Sequence, residues 1–111
     1  AMYARVWENV PNNNNGLYQD GKFKQGLSYS LFTKFFSDTA GFKYYWDSDA
    51  KAPYYYSATK KLFATFDDKR SIQEKTGYIR NKKLGGIMFW ELPDDLKKDG
   101  LVDEMSRGLK N

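Results

Sequence analysis

The stretch Leu84–Asp95, LGGIMFWELPDD, decides how the rest of the chain is read. Two glycines introduce a short apolar run that ends at Trp90, and Glu91, Asp94 and Asp95 follow it. An apolar run of this length, bounded by turn residues, predicts a strand over Gly86–Glu91 that is buried on both faces and delivers polar groups at its far end. Upstream, FDDKRSIQEKTGYIRNKKLGG offers a carboxylate cap at Asp67 or Asp68. An Ile72, Thr76, Ile79 stripe follows, and a basic last turn runs into Gly85, which together predict a helix. Downstream of Pro93, a second helix is expected from about Asp99, with Leu101, Val102, Met105 and Leu109 as its apolar residues. Helix, buried strand, helix is a piece of an α/β protein, but the chain supplies few strands to complete a parallel sheet.

The earlier part of the chain has a different character. Residues Met2 to Trp7 alternate with a period of two, which places Tyr3, Arg5 and Trp7 on one face of a strand. Asn9 to Gly26 is dense in Asn and Gly and reads as loop and turns. Leu27, Leu31, Phe32, Phe35 and Phe36 fall at helical spacing, so a helix is expected from Leu27 to Phe36, ending near Gly41. Strands are expected at Phe42–Trp46, Pro53–Tyr56 and Lys61–Phe66. One helix among several short strands predicts a small α+β unit.

With 111 residues the chain has the length of one domain with a modest core. A complete (β/α)8 barrel needs on the order of 250 residues. A net charge of +4 is spread along the sequence with no long run of one sign, so no nucleic-acid arm and no polybasic membrane patch is expected. No apolar stretch approaches the length of a membrane span. The chain contains no cysteine and no histidine. This excludes disulfides, Cys/His zinc sites and imidazole-dependent catalysis, and neither a metal nor a cofactor is expected. Nine Tyr, eight Phe and three Trp make up 18% of the residues, more than a core this size absorbs. Exposed aromatic rings mark ligand surfaces, and sugars and nucleic-acid bases are the ligands that suit them.

Three blocks, in order, resemble the family 18 glycoside hydrolases, the chitinases. MYARVW is similar to the end of the seventh barrel strand, and the residues from NNNNGLYQ to GFKYYWDSDAKAPYYY resemble the chitinase insertion domain. FATFDDKRSIQEKTGYIRNKKLGGIMFWELPDD resembles the last insertion strand, the seventh helix and the eighth strand. The resemblance implies an α+β insertion domain of antiparallel strands with one helix at residues 8–66. The end of the seventh strand would precede it at 1–7, and the final α-β-α portion of a TIM barrel would follow at 67–111. Ala4 stands where the family usually has glycine, and Tyr44 where related bacterial chitinases often carry arginine. The family's catalytic Asp-x-x-Asp-x-Asp-x-Glu motif has no match in these residues, so no catalytic residue is expected in this chain. The chain opens on strand-like sequence and reads as a fragment or processed product, with a secreted parent.

For that parent, the resemblance implies retaining hydrolysis of β-1,4-linked N-acetylglucosamine polymers, with the substrate's own N-acetyl carbonyl as nucleophile. Trp90 is then the floor under the sugar at the cleavage point, being flat, apolar and stiff. Tyr3, Arg5 and Trp7 would face the cleft, with Trp46, Asp47 and Glu91 as further substrate contacts. The expected partners are chitin or N-acetylglucosamine oligosaccharides, with no nucleic acid and no membrane. Two other readings share these residues: a family 18 hydrolase acting on peptidoglycan, and a non-catalytic carbohydrate-binding module. A nucleic-acid binder stacking bases on Tyr and Trp fits less well, because acidic residues are mixed evenly with basic ones. An apolar strand lacking its neighbours would invite a homodimer or strand-swapped assembly.

Overall fold

The computed structural model of the chain describes residues 1–110, so the last residue of the expected 67–111 segment lies outside the described residues. Five strands are formed: β1 (Tyr3–Glu8), β2 (Lys22–Ser28), β3 (Lys43–Asp47), β4 (Ala52–Ser57) and β5 (Leu62–Thr65). They make one antiparallel sheet in the order β2-β1-β5-β4-β3. The expected α+β class, antiparallel strands with helices, is the one found.

Register determines which side chains share a face. Val6 lies opposite Ala64, Ala64 opposite Tyr55 and Tyr55 opposite Tyr44, so these residues line one side. This side buries Ala4, Val6, Leu62 and Ala64 against Phe32, Phe36, Phe42 and Phe66. The phenylalanines interlock: Phe36 stacks on Tyr55 at 4.5 Å and meets Phe32 edge-on at 5.2 Å. Ala4 is fully buried here, so its methyl group is part of the core.

The helix expected from Leu27 to Phe36 is a correction. Leu27 and Ser28 complete β2, paired with Ala4 and Tyr3, and the chain then makes a 3-10 turn and one helical turn, α1 (Phe32–Phe35). Strand pairing overrides the helical spacing, while Phe32 and Phe36 still reach the core. The reading of Asn9–Gly26 as loop throughout is corrected by the same strand, which starts at Lys22.

Two longer helices follow, α2 (Lys69–Lys82) and α3 (Leu101–Lys110), close to where their caps predict. Asp68 forms a capping box with Ser71, accepting its amide at 2.9 Å while the Asp68 amide donates to Ser71 Oγ at 3.0 Å. Ile72, Thr76 and Ile79 are buried as a stripe. Asp95 accepts the amides of Leu96, Leu101 and Val102 at 2.8–3.0 Å, which seats the start of α3. Gly108 lets α3 approach α2, because a Cβ there would fall on the Thr76 side chain, and Arg80 donates to the Gly108 carbonyl. Met2, Ile72, Leu101 and Met105 form a second buried cluster.

The buried strand expected at Gly86–Glu91 is the second correction. These residues join no strand of the sheet, Ile87 is half-buried, and Met88 is 89% exposed. A lone extended segment cannot complete a ladder, and a backbone bond from the Met2 amide to the Trp90 carbonyl, at 2.8 Å, holds it to the start of β1.

Gly108→Ala is expected to lower stability by about 1–3 kcal/mol in urea unfolding, since the added methyl group forces α2 and α3 apart. A second prediction concerns Asp67, which is buried and accepts Lys75 Nζ, Ser71 Oγ and the α-amino group of Ala1 at 2.8–2.9 Å. Burial alone would raise its carboxyl, but these donors together hold it below the ordinary value. Its contribution is therefore present above the unfolded value of about 3.9 and is lost as pH falls through the depressed one. Unfolding measured against pH is expected to lose part of its acid slope in Asp67→Asn, and an unchanged slope would contradict this.

Candidate functional site

On β1, Tyr3, Arg5 and Trp7 project to the side away from the phenylalanine core, as their alternation dictates. Across from them on β2 lie Ser28, Gly26 and Phe23, the last brought into line by an irregularity between Val6 and Trp7. Gly26 puts no side chain beside Arg5, and the guanidinium lies over the Phe23 ring at 4.3 Å. Phe23 in turn meets Trp7 edge-on at 5.5 Å. On the other side, Trp7 is opposite Phe63, which stacks with Tyr54 at 5.2 Å, and Tyr54 stacks with Tyr45 at 5.2 Å. One aromatic row, Phe23, Trp7, Phe63, Tyr54, Tyr45, thus crosses all five strands.

The Asn-rich loop folds over part of this face. Tyr56 donates its hydroxyl to the Val10 carbonyl at 2.8 Å. Gly16, at φ 82°, sits against the Tyr56 ring where a Cβ would collide, so both its left-handed backbone and the contact require glycine. Tyr18 is 78% exposed and its hydroxyl reaches Asp47 Oδ2 at 3.4 Å. The Asp47 charge pushes the Tyr18 phenol above its ordinary value.

The opening stretch is fastened to the first-residue end of β1. Trp90, 65% exposed, accepts the Met2 amide through its carbonyl. Ser28, opposite Tyr3, donates to Asp94 Oδ1 at 2.6 Å. Glu91 is half-buried and its carbonyl accepts the Asp94 amide at 3.0 Å. Trp90 and Glu91 are thereby tied to the end of the face that begins at Tyr3, with Arg5 and Trp7 further along it.

The remaining site residues lie elsewhere. Trp46, opposite Pro53, is on the other side of the sheet from Tyr45, and the Arg70 guanidinium covers its indole at 3.8 Å. Asp47 closes the turn between β3 and β4 by accepting the amides of Asp49 and Ala50 at 3.0 and 3.3 Å. Tyr44 donates to Asp68 at 2.7 Å, and burial together with that bond raises its phenol. The sequence reading missed Phe23 and Phe63. Phe23 lies in a stretch whose Asn and Gly content predicts loop, although an apolar residue between Lys22 and Lys24 is a strand-like signal.

The arrangement sets aromatic faces beside the hydrogen-bonding groups of Arg5 and Tyr3, with Glu91 at the Tyr3 end. Among the described residues no group of three or more acidic side chains could hold a metal. Of the carboxylates that follow Trp90, Asp94 accepts Ser28 and Asp95 seats the start of α3, while Glu91 forms no side-chain bond among the described residues. Phe23→Ala is expected to lower stability by about 1 kcal/mol, because the ring is 42% exposed and is lost mainly as cover for Arg5 and Trp7. Denaturant unfolding checks this, and a loss of several kcal/mol would place Phe23 in the core instead.

The sequence profile of Glycosyl hydrolases family 18 matches residues 1–95. Chitinase A1 of Niallia circulans is 38% identical over 106 residues, covering 87% of this chain and 15% of that protein. The solved family 18 N-acetylglucosaminidase from Paenibacillus barengoltzii superposes with a TM-score of 0.84 at 37% identity, over 97% of this chain and 32% of that one. Chitinase ChiW from Paenibacillus sp. str. FPU-7 does so with a TM-score of 0.89 at 36% identity, over 99% of this chain and 13% of that one. The chain therefore spans about a third or less of each of these relatives. With most of its length matched by the family profile and its fold shared with these proteins, the chain belongs to glycosyl hydrolase family 18.

Proposed function

We propose that these residues form the floor and one wall of a chitinase substrate cleft. The parent would hydrolyse β-1,4-linked N-acetylglucosamine polymers with retention, and the acid that protonates the leaving oxygen lies outside this sequence. The observation that carries this reading is the aromatic row flanking Arg5 on one sheet face, with the Trp90 backbone bonded to Met2 at the Tyr3 end of that face. An indole left open to solvent and tied by its backbone to the sheet is suited to support a sugar ring. In substrate-assisted hydrolysis the N-acetyl carbonyl attacks the anomeric carbon, which requires the ring to be held in a distorted pose. Trp90 supplies the apolar floor for that pose, while Arg5 and Tyr3 offer donors to sugar oxygens and Glu91 an acceptor.

An enzyme acting on such a polymer, which does not cross a membrane, would be secreted. This chain by itself is expected to bind without cleaving. Leu84, Met88, Phe89 and Leu92 are all exposed beside Trp90, an apolar strip that favours association with a second copy.

Calorimetric titration with the tetrasaccharide of β-1,4-linked N-acetylglucosamine tests the binding reading. Trp90→Ala is expected to weaken binding at least about tenfold, with little change in melting, because an exposed ring contributes little to the core. Unchanged affinity in that variant would remove the floor assignment. Preference of the unsubstituted chain for peptidoglycan fragments would replace chitin as the substrate class.

A further inference from the structure

We propose that the cavity beside Trp7 is an outlying sugar subsite. It would take one pyranose ring of an N-acetylglucosamine oligosaccharide long enough to extend there from Trp90. The inference rests on the chitin-binding reading above and adds a place and residues to it. The cavity, of about 280 Å³, opens between the Asn-rich loop and the sheet and is lined by Trp7, Phe63, Tyr18, Gln19 and Asp20 among others.

Three observations support it. First, its composition matches a sugar: half-buried Trp7 and Phe63 offer ring faces to the apolar side of a pyranose, while Asp20 and the side-chain oxygen of Gln19, whose Nε2 donates to the Leu17 carbonyl at 3.2 Å, provide acceptors for its hydroxyls. Asp20 also argues against a nucleotide, as do Asp47 and Asp49, whose charges act on Tyr18. A phosphate there would meet negative charge.

Second, the walls are held in place. Val10 is tied to Tyr56, and Gly16 is seated on the Tyr56 ring. Tyr18 has φ 61°, a backbone region that a bulky aromatic residue seldom adopts. Its side chain is 78% exposed rather than buried in compensation. Backbone strain of this kind, kept at the rim of a cavity, is characteristic of binding sites.

Third, the spacing fits a chain of sugars and not a single one. From Tyr3, at the Trp90 end, to Trp7 the strand advances four residues, roughly 13 Å at 3.3 Å each. That is further than one sugar ring reaches, and Arg5 lies between the two ends on the same face. The subsite would therefore discriminate by oligosaccharide length.

The test is titration of the unsubstituted chain, Trp7→Ala, Gln19→Ala and Trp90→Ala with the di- and hexasaccharides of β-1,4-linked N-acetylglucosamine. Trp7→Ala is expected to weaken hexasaccharide binding by about tenfold, more than it weakens disaccharide binding, and Gln19→Ala to weaken hexasaccharide binding by about threefold with disaccharide affinity unchanged. Trp90→Ala should weaken both ligands. Circular dichroism verifies folding, and if Trp7→Ala unfolds the chain, Gln19→Ala alone decides. Unchanged hexasaccharide affinity in the folded variants, with Trp90→Ala still weakened, overturns the subsite and leaves the chitin reading standing. Failure of the unsubstituted chain to bind either saccharide overturns both.

Discussion

The backbone of Met2 is the constraint on which the rest of the structure depends. Its amide donates to the Trp90 carbonyl at 2.8 Å, and its carbonyl accepts the Tyr29 amide at 2.9 Å. Its side chain is fully buried with Ile72, Leu101 and Met105. One residue thus joins the start of the central sheet region, the turn that leads into the phenylalanine core, the packed helix pair and the segment bearing Trp90. That segment is otherwise largely exposed and pairs with no strand of the sheet, so its position relative to Tyr3 and Arg5 depends on this junction. The bond between Ser28 and Asp94 reinforces it from the neighbouring strand.

The sheet divides two tasks between its faces. One face carries small residues, Ala4, Val6 and Ala64, beneath a layer of phenylalanines, and this packing gives the unit its core. The other carries the aromatic row and Arg5. Because the row is anchored by strand register and by ring stacking, its side chains would lose little further freedom on binding the proposed ligand. A rigid, partly exposed aromatic surface edged by hydrogen-bonding groups is what extended glycans require, and the family membership of the chain is consistent with that physical reading.

Much of this was legible in the sequence, and what was not has identifiable causes. The alternation of Tyr3, Arg5 and Trp7 and the aromatic strands expected at Phe42–Trp46 and Pro53–Tyr56, which the structure forms at Lys43–Asp47 and Ala52–Ser57, are readable, because such patterns survive any choice of neighbour. The carboxylate at Asp68 and the Ile72, Thr76, Ile79 stripe marked α2, since capping and burial are local properties. Leu27–Phe36 was misread because Leu27 and Ser28 are claimed by a partner strand far away in sequence. Gly86–Glu91 was misread because an apolar run declares its wish for a sheet without declaring whether the partners are present. Phe23 was hidden by its setting among lysines and glycines, and the separation of Trp46 from Trp7 follows from register across β3, β4, β5 and β1, which no local pattern encodes.

The sheet face away from the phenylalanine core, continued by Trp90, is the proposed sugar-binding surface of this chain. Backbone and indole chemical shifts of the isotopically labelled chain, followed while the tetrasaccharide of β-1,4-linked N-acetylglucosamine is added, test it most directly. The largest changes are expected on the Trp90 indole and on Arg5, Phe23 and Gly26. Changes confined to α2 and α3, or to the Trp46 and Arg70 side of the sheet, would contradict it.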